Sequence, residues 1–437
     1  MILTTIEEYI KSGLVHSVHT SERRSHRGCR RRHHWVFREG YYPYTTAKPL
    51  EFGVAFHKAF EKLYDPLTWH DHKLAYNLAR AIFVKTCNEQ FDAFQRAYKD
   101  GKLGSFVKID EAKADYAERK ELGLGMLKHY VRNEMAAHDV NFKPVKVEIE
   151  FEVPIAGPNG ETIWCKCERC WNRWRNSNKG IEDHNAFQNS IGAAEWARNP
   201  QVHAGTYRSE WQGLPVTYGG RIDMLAQDNL GRYWIFDWKT AARLSTGEPG
   251  ADDDYMWLDD QITSYCWAMW VMGFPVAGFV YVEIKKVAPE EPEPLARPYK
   301  GRMYPVNKQK ITATYDQYLS TVKENDPIAY NNGLYDEMLE YLQDNNTFHL
   351  RHQIHRSETE LANAGHYIWL EAQEMVDPST RIYPAKGRFT CNGCAFKEPC
   401  LSMDRGEDYK YTLDTMFEKR ERHYFEAPSS TDKPGRG

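Results

Sequence analysis

Asp223, Asp237 and Lys239 are the residues of this chain whose types and spacing can do hydrolytic chemistry. They fall in the stretch GGRIDMLAQDNLGRYWIFDWKT, Gly219 to Thr240, which reads as a β-hairpin. Arg221 to Leu225 makes the first arm, and Gln227-Asp228-Asn229-Leu230-Gly231 has the Asx and glycine chemistry of a chain reversal. The second arm, Tyr233 to Lys239, is aromatic and β-branched, as strands prefer. Side chains alternate across a strand, so Ile235, Asp237 and Lys239 share one face while Phe236 and Trp238 share the other. Two readings of that pattern stand side by side. Asp237 and Lys239 can form a weakly stabilising surface ion pair. Alternatively, on a strand covered on both faces, charges are costly and are kept for chemistry. Two carboxylates with the backbone carbonyl between them can then hold a hard divalent cation, and the lysine can position or deprotonate an attacking water.

The order of these residues resembles the core of the PD-(D/E)XK nuclease superfamily: G-x-I-D, an interval, then two hydrophobic residues and D-x-K-T. Flanking residues resemble its RecB-like branch. Gln261-Ile262-Thr263-Ser264-Tyr265 matches a Q-x-x-x-Y helix after the hairpin, and Gly53-Val54-Ala55-Phe56-His57 matches an earlier G-x-x-x-H helix. The resemblance implies an α/β fold: a restriction-endonuclease-like mixed sheet flanked by helices, with a helical subdomain and a C-terminal iron–sulfur clasp. It also implies that His57, Asp223, Asp237 and the Trp238 carbonyl hold Mg²⁺ or Mn²⁺. Lys239 would act on the water, while Gln261 and Tyr265 would organise the lysine and the DNA strand.

The nine cysteines include Cys391-x2-Cys394-x5-Cys400, a thiolate spacing that takes zinc or an iron–sulfur cluster and wants a fourth ligand. Cys29 supplies one. One cysteine far upstream and three just after the motifs resemble the iron–sulfur-bearing RecB-like nucleases: the AddB subunit, the CRISPR-associated exonuclease family and their phage relatives. There a [4Fe–4S] cluster clasps the ends of the domain. Cys29 lies in the densest basic segment, Ser21 to Arg38, which reads either as a solvated charged face or as a phosphate-contacting surface through Arg30, Arg31 and Arg32. A second group, Cys165, Cys167 and Cys170, is one ligand short of a zinc site that His184 or a distant residue would complete.

The elements that must position these groups are legible in outline. Residues 2–15 read as an amphipathic helix, Gly53 to Tyr64 as the helix carrying His57, and His72 to Lys99 and Ile109 to His138 as long helices of a subdomain. Val145 to Pro154 alternates and reads as the first core strand, with Glu148, Glu150 and Glu152 on one face and any one of them able to enter the site. Gly157 to Gly213 is an insertion too long for a simple loop. After the hairpin come a glycine- and aspartate-rich loop, Gly247 to Asp254, a helix from Met256 to Met272 and a strand from Phe279 to Lys286. A proline-bearing connection follows from Pro289 to Pro305, then helices from Thr312 to Gln343 and from Glu358 to Val376. The expected units are 1–52, a helical subdomain 53–144, the nuclease core 145–290, the C-terminal helices and cluster segment 291–404, and a tail 405–437, disordered from Ala427 onward.

Thirteen tryptophans and twenty-seven tyrosines support a substantial core, and no apolar run reaches membrane-spanning length. The N-terminus lacks a basic start and apolar segment, which places the chain in the cytoplasm, that of the host if it is phage-encoded. A net charge of −4 does not itself indicate nucleic acid, but the basic residues are clustered. No G-x-x-x-x-G-K-[ST] phosphate loop is present, so the chain has no motor of its own and works alone or with a helicase or single-strand-annealing protein. The expected activity is metal-dependent hydrolysis of DNA, as an exonuclease on single-stranded or duplex ends in recombination, repair or DNA processing. The alternatives are a non-catalytic protein that binds DNA ends and a zinc-containing structural partner of a larger complex.

Overall fold

The structure is a computed structural model that describes residues 5–44, 48–101, 108–135, 139–244, 256, 258–308, 311–345 and 348–420. The loop Gly247 to Asp254, residues 136–138 of the expected long helix and the tail from Ala427 lie outside the described residues.

The sheet is built around β5 (Leu214–Asp228). One edge of β5 is paired along most of its length with antiparallel β3 (Phe142–Pro154), from Asp228 opposite Phe142 to Thr217 opposite Pro154. Two strands divide the other edge: β1 (His16–Val18) runs parallel to it at Val216–Tyr218, and β6 (Tyr233–Ala241) runs antiparallel at Met224–Gln227. Among the described residues no strand pairs with 219–223 on that edge, so the sheet is split there. Beyond β6 the sheet continues with parallel β7 (Val276–Lys285) and antiparallel β8 (His349–Ile354).

The hairpin closes as its turn chemistry requires. Asp228 Oδ1 accepts from the backbone N–H of Leu230 and of Arg232, both at 2.9 Å, while Oδ2 accepts from Arg232 Nε at 2.8 Å and Trp234 Nε1 at 3.0 Å. Gly231 takes the left-handed conformation, φ +78°, that the reversal needs. The β6–β7 crossover uses the helix Asp260–Val271, capped by Asp259, which accepts from the Gln261 N–H at 2.8 Å.

Alternation along β6 sorts the core into two layers. Trp234, Phe236 and Trp238 join Val280 and Val282 beneath the helices Lys48–Leu63, His72–Lys99 and Ile109–Tyr130. Ile235 and Phe279 face the helices Asp260–Val271 and Glu358–Val376. The long helices expected as a subdomain therefore share one apolar layer with the sheet. Burying side chains such as Phe236 and Phe83 stabilises that layer by roughly 1.5–3 kcal/mol each.

Other elements depart from the sequence reading. The first helix covers only Ile6–Lys11, and its expected end is instead the approach to β1. β8 was not anticipated, because HLRHQI lacks an apolar alternation. The insertion holds β4 (Trp164–Cys165), paired to β5, and the helices Glu168–Arg175, Asn178–Ile191, Ala193–Arg198 and Pro200–Glu210. Ahead of Ala427, the helix Tyr409–Met416 leads into β9 (Phe417–Lys419), which pairs with β2 (Tyr41–Pro43) and joins the N-terminal and C-terminal segments. Among the described residues no helix is long and apolar enough to cross a membrane.

Candidate active site

The split edge of β5 is where the charged residues converge. Met224 stands opposite Phe236, so the next step along the register sets Asp223 opposite Asp237. The ladder ends there, and the Trp238 N–H donates to Asp223 Oδ2 at 3.3 Å instead of to a backbone carbonyl. In a strand the N–H and C=O of one residue face the same neighbour, so the Trp238 carbonyl faces the same gap. His57, from the helix Lys48–Leu63, brings Nδ1 to 3.0 Å from Asp223 Oδ2.

The third group comes from β3. Ile149 and Ile222 belong to one apolar layer, whereas Val147 and Met224, two residues away on each strand, belong to the other. Alternation is thus broken on both strands at one level, that of Glu148 and Asp223. Glu148 takes a left-handed conformation, φ +49°, which is strained for a residue with a side chain. The kink turns its carboxylate to the site, where His57, Glu148 and Asp223 bring ligand atoms within 4.8 Å of one another. Glu150 is exposed, and Glu152 accepts from Ser17 Oγ at 2.8 and 2.9 Å. Glu148 is therefore the carboxylate that sequence periodicity left open among three. Periodicity could not choose it, since the choice depends on a break in the period.

Asp237 is buried beside this group, 4% exposed, with Lys239 Nζ 2.8 Å from Oδ1 and 2.7 Å from Oδ2. Gln261 Nε2 donates to Asp237 Oδ1 at 3.4 Å, so the glutamine reaches the aspartate that faces the lysine. Tyr265 lies edge-on to Phe151, ring centres 5.4 Å apart, over Gly220. A Cβ on Gly220 would come within 2.5 Å of the Phe151 ring and 3.1 Å of the Tyr265 ring, which accounts for a glycine there.

Burial and charge act against each other throughout the site. Burial raises the Asp237 carboxyl, as does Asp223 nearby, and Lys239 offsets only part of this. Burial also pushes Glu148 up to about 7, with Arg221, 2.7 Å away, pulling the other way and Asp223 adding to the rise. At Asp223 burial is outweighed by His57 and Lys239, and its carboxyl is held below the ordinary value. Burial works against the Lys239 charge, but Asp237 and Asp223 overcome it and keep the ammonium protonated. Three carboxylates around one half-exposed gap, relieved by one lysine and one histidine, form an oxygen-rich donor set that suits Mg²⁺ or Mn²⁺.

The basic segment is extensively ion-paired within the chain. Arg23 pairs with Glu371 at 2.6 Å, Arg24 with Asp259 at 2.5 Å and Arg27 with Asp260 at 2.5 Å. Arg30 pairs with Glu374, and Arg31 with Asp404 at 3.0 Å. Arg32 Nε donates to Ser25 Oγ at 3.4 Å. The arginines of this run are largely engaged in tying the N-terminal helices to the helices Asp260–Val271 and Glu358–Val376.

Cys29, between the helices Thr20–Gly28 and Arg30–His33, lies near enough to Cys394 to act on its thiol. Arg31 Nη1 donates to Cys400 Sγ at 3.2 Å, and the Cys394 thiol is raised by burial and by the neighbouring Cys29 and Cys391. Trp35, Tyr41, Phe396, Leu413 and Phe417 form the apolar backing. No three of these four thiols lie within 4.8 Å of one another. All four are free cysteines.

The insertion cysteines gather more tightly. Cys165, Cys167, Cys170 and His16 bring their ligand atoms within 4.8 Å of one another. His184, the nearer histidine in sequence, packs instead against the rings of Trp196 and Tyr207, at 5.3 and 5.1 Å. No local signal marks His16, which lies on the far side of the chain from the insertion in sequence.

A family model described as the PD-(D/E)XK nuclease superfamily matches residues 21–401. No curated protein matches the chain.

Proposed function

This chain belongs to the PD-(D/E)XK nuclease superfamily, whose members are metal-dependent nucleases, and from that premise we propose that it is a deoxyribonuclease that shortens DNA from its ends. The observation that carries this reading is the convergence of His57, Glu148 and Asp223 beside the Asp237–Lys239 pair at the split edge of β5. In the proposed site, His57, Glu148, Asp223, Asp237 and the Trp238 carbonyl hold Mg²⁺ or Mn²⁺. The bound ion supplies positive charge for the scissile phosphate and acidifies a water.

The chain's own residues then do the positioning. Lys239, held against Asp237 at 2.7 and 2.8 Å, is placed to position or deprotonate the attacking water and to meet charge developing on the phosphate. Gln261 steadies Asp237, and Tyr265, packed on Gly220, supports the strand that carries Asp223. Arg32, bonded to a neutral serine, is the residue of the basic run proposed to meet the DNA backbone. Cys29, Cys391, Cys394 and Cys400 hold a [4Fe–4S] cluster that ties the N-terminal helices to the C-terminal segment, a role the β2–β9 pairing of the chain ends supports. Exonuclease action, and work beside a helicase or annealing protein in recombination or repair, rest on the resemblance to RecB-like nucleases.

The test is digestion of end-labelled single- and double-stranded DNA by anaerobically purified protein, with Mg²⁺, Mn²⁺ or chelator, beside Lys239→Ala. Metal-dependent shortening from the labelled end that disappears in the variant is the expected result. Binding without cleavage under every metal would move the assignment to a recognition protein.

A further inference from the structure

The catalytic reading leaves the second ligand group without a role. It joins two segments distant in sequence: His16 begins β1, and the three cysteines lie on β4 and the start of the helix Glu168–Arg175. His16 Nδ1 is 3.2 Å from Cys170 Sγ. His16, Cys165 and Cys170 are buried and Cys167 is half-buried, so the shell is closed. The two segments are also pinned around it, since Arg173 donates to the backbone oxygens of Val15 at 2.8 Å and Gly13 at 2.6 Å.

We propose that His16, Cys165, Cys167 and Cys170 hold a single structural Zn²⁺ that staples the insertion to the first strand. Three thiolates and one imidazole form a common structural zinc set, and four protein ligands leave no open position for substrate. Four ligand atoms within 4.8 Å surround one ion and are too close for a multi-iron cluster, which separates this site from the Cys29 group. The soft sulfur donors disfavour Mg²⁺ and Mn²⁺, which separates it from the carboxylate site. The staple has a structural consequence. β1 holds the edge of β5 at Val216–Tyr218, one end of the gap into which the catalytic groups project, so the ion fixes that end of the split. This inference does not rest on the nuclease assignment.

Metal analysis of the full chain, purified without added metal, tests it. One zinc per chain is expected in wild type, in His184→Ala and in Cys391→Ser, and loss of that zinc in Cys167→Ser and Cys170→Ser. His16→Cys, which completes a four-thiolate set, retains it. Zinc absent from wild type, zinc lost in Cys391→Ser but kept in Cys170→Ser, or iron in place of zinc at these residues overturns the proposal. Should the serine variants fail to fold, wild type grown with cobalt decides. Tetrahedral cobalt absorption with thiolate charge-transfer bands supports the site, and purely octahedral oxygen-ligand absorption refutes it.

Discussion

Two groups of side chains with the chemistry to hold a metal ion flank the same strand, and they are built in opposite ways. The His16 group is sulfur-rich, closed and mostly buried, whereas the His57 group is oxygen-rich and half-exposed along a gap in the sheet. A closed shell of soft donors holds an ion for the sake of the fold; an open set of hard donors leaves room for substrate and water. The contrast teaches that β5 does two jobs at the ends of one gap. At one end β1 is anchored to the strand, and at the other β6 departs and leaves Asp223 and the Trp238 carbonyl at the gap between the two strands.

The largest effects should come from the open site. Asp237→Ala or Lys239→Ala should lower cleavage by about 10²–10⁴-fold, the range for removal of a positioned catalytic group, with DNA binding largely retained. Wild-type rates in either variant, measured on end-labelled DNA, would remove the distinction between the two groups. Chelation sharpens it next. Brief chelator treatment should stop cleavage, be reversed by Mg²⁺ or Mn²⁺, and leave the thermal midpoint in place. Removal of the zinc proposed for the His16 group should lower the midpoint by several degrees, followed by calorimetry.

Glu148→Gln tests whether the strained glutamate belongs to the open set. Cleavage should fall by roughly 10–100-fold and require more divalent ion, in line with weakened metal affinity. The same variant has a signature in stability. A carboxyl raised from 4.5 to about 7 binds more protons folded than unfolded, so metal-free wild type loses stability as pH rises across that window. Glu148→Gln should flatten that slope, read from denaturant unfolding at several pH values; an unchanged slope would mean the glutamate is not desolvated. The smallest effect is expected for Gln261→Ala, which removes one long hydrogen bond to Asp237, worth about 0.5–1.5 kcal/mol and at most roughly a tenfold fall in rate. A loss as large as that of Lys239→Ala would give Gln261 a direct part in the chemistry.

Legibility in the sequence followed how local each signal was. The hairpin was readable because Asp228, Gly231 and the alternation of Tyr233 to Lys239 lie within one short segment. The helix Glu358–Val376 was readable to the residue, as its Ser357–Glu360 capping box closes over adjacent residues. The helices His72–Lys99 and Ile109–Tyr130 were legible as helices, but not as a layer of the sheet, because amphipathic spacing reveals an apolar face without naming what covers it. At Arg30 and Arg31 composition shows charge and hides its partners. Glu374 and Asp404 answer them from the other end of the chain.

By itself the sequence determined the two carboxylates and the lysine on one hairpin, the histidine and glutamine helices on either side of it, and the two thiolate groups. All of these are written in residue types at short, fixed spacings. Tertiary structure alone decided that Glu148 and not its neighbours turns to the site, that His16 completes the insertion cysteines and His184 does not, and that the basic run is answered internally. Each of those outcomes joins segments far apart in the chain, or depends on a break in strand alternation. Their energy comes from burial and charge pairing in three dimensions, for which linear spacing carries no record.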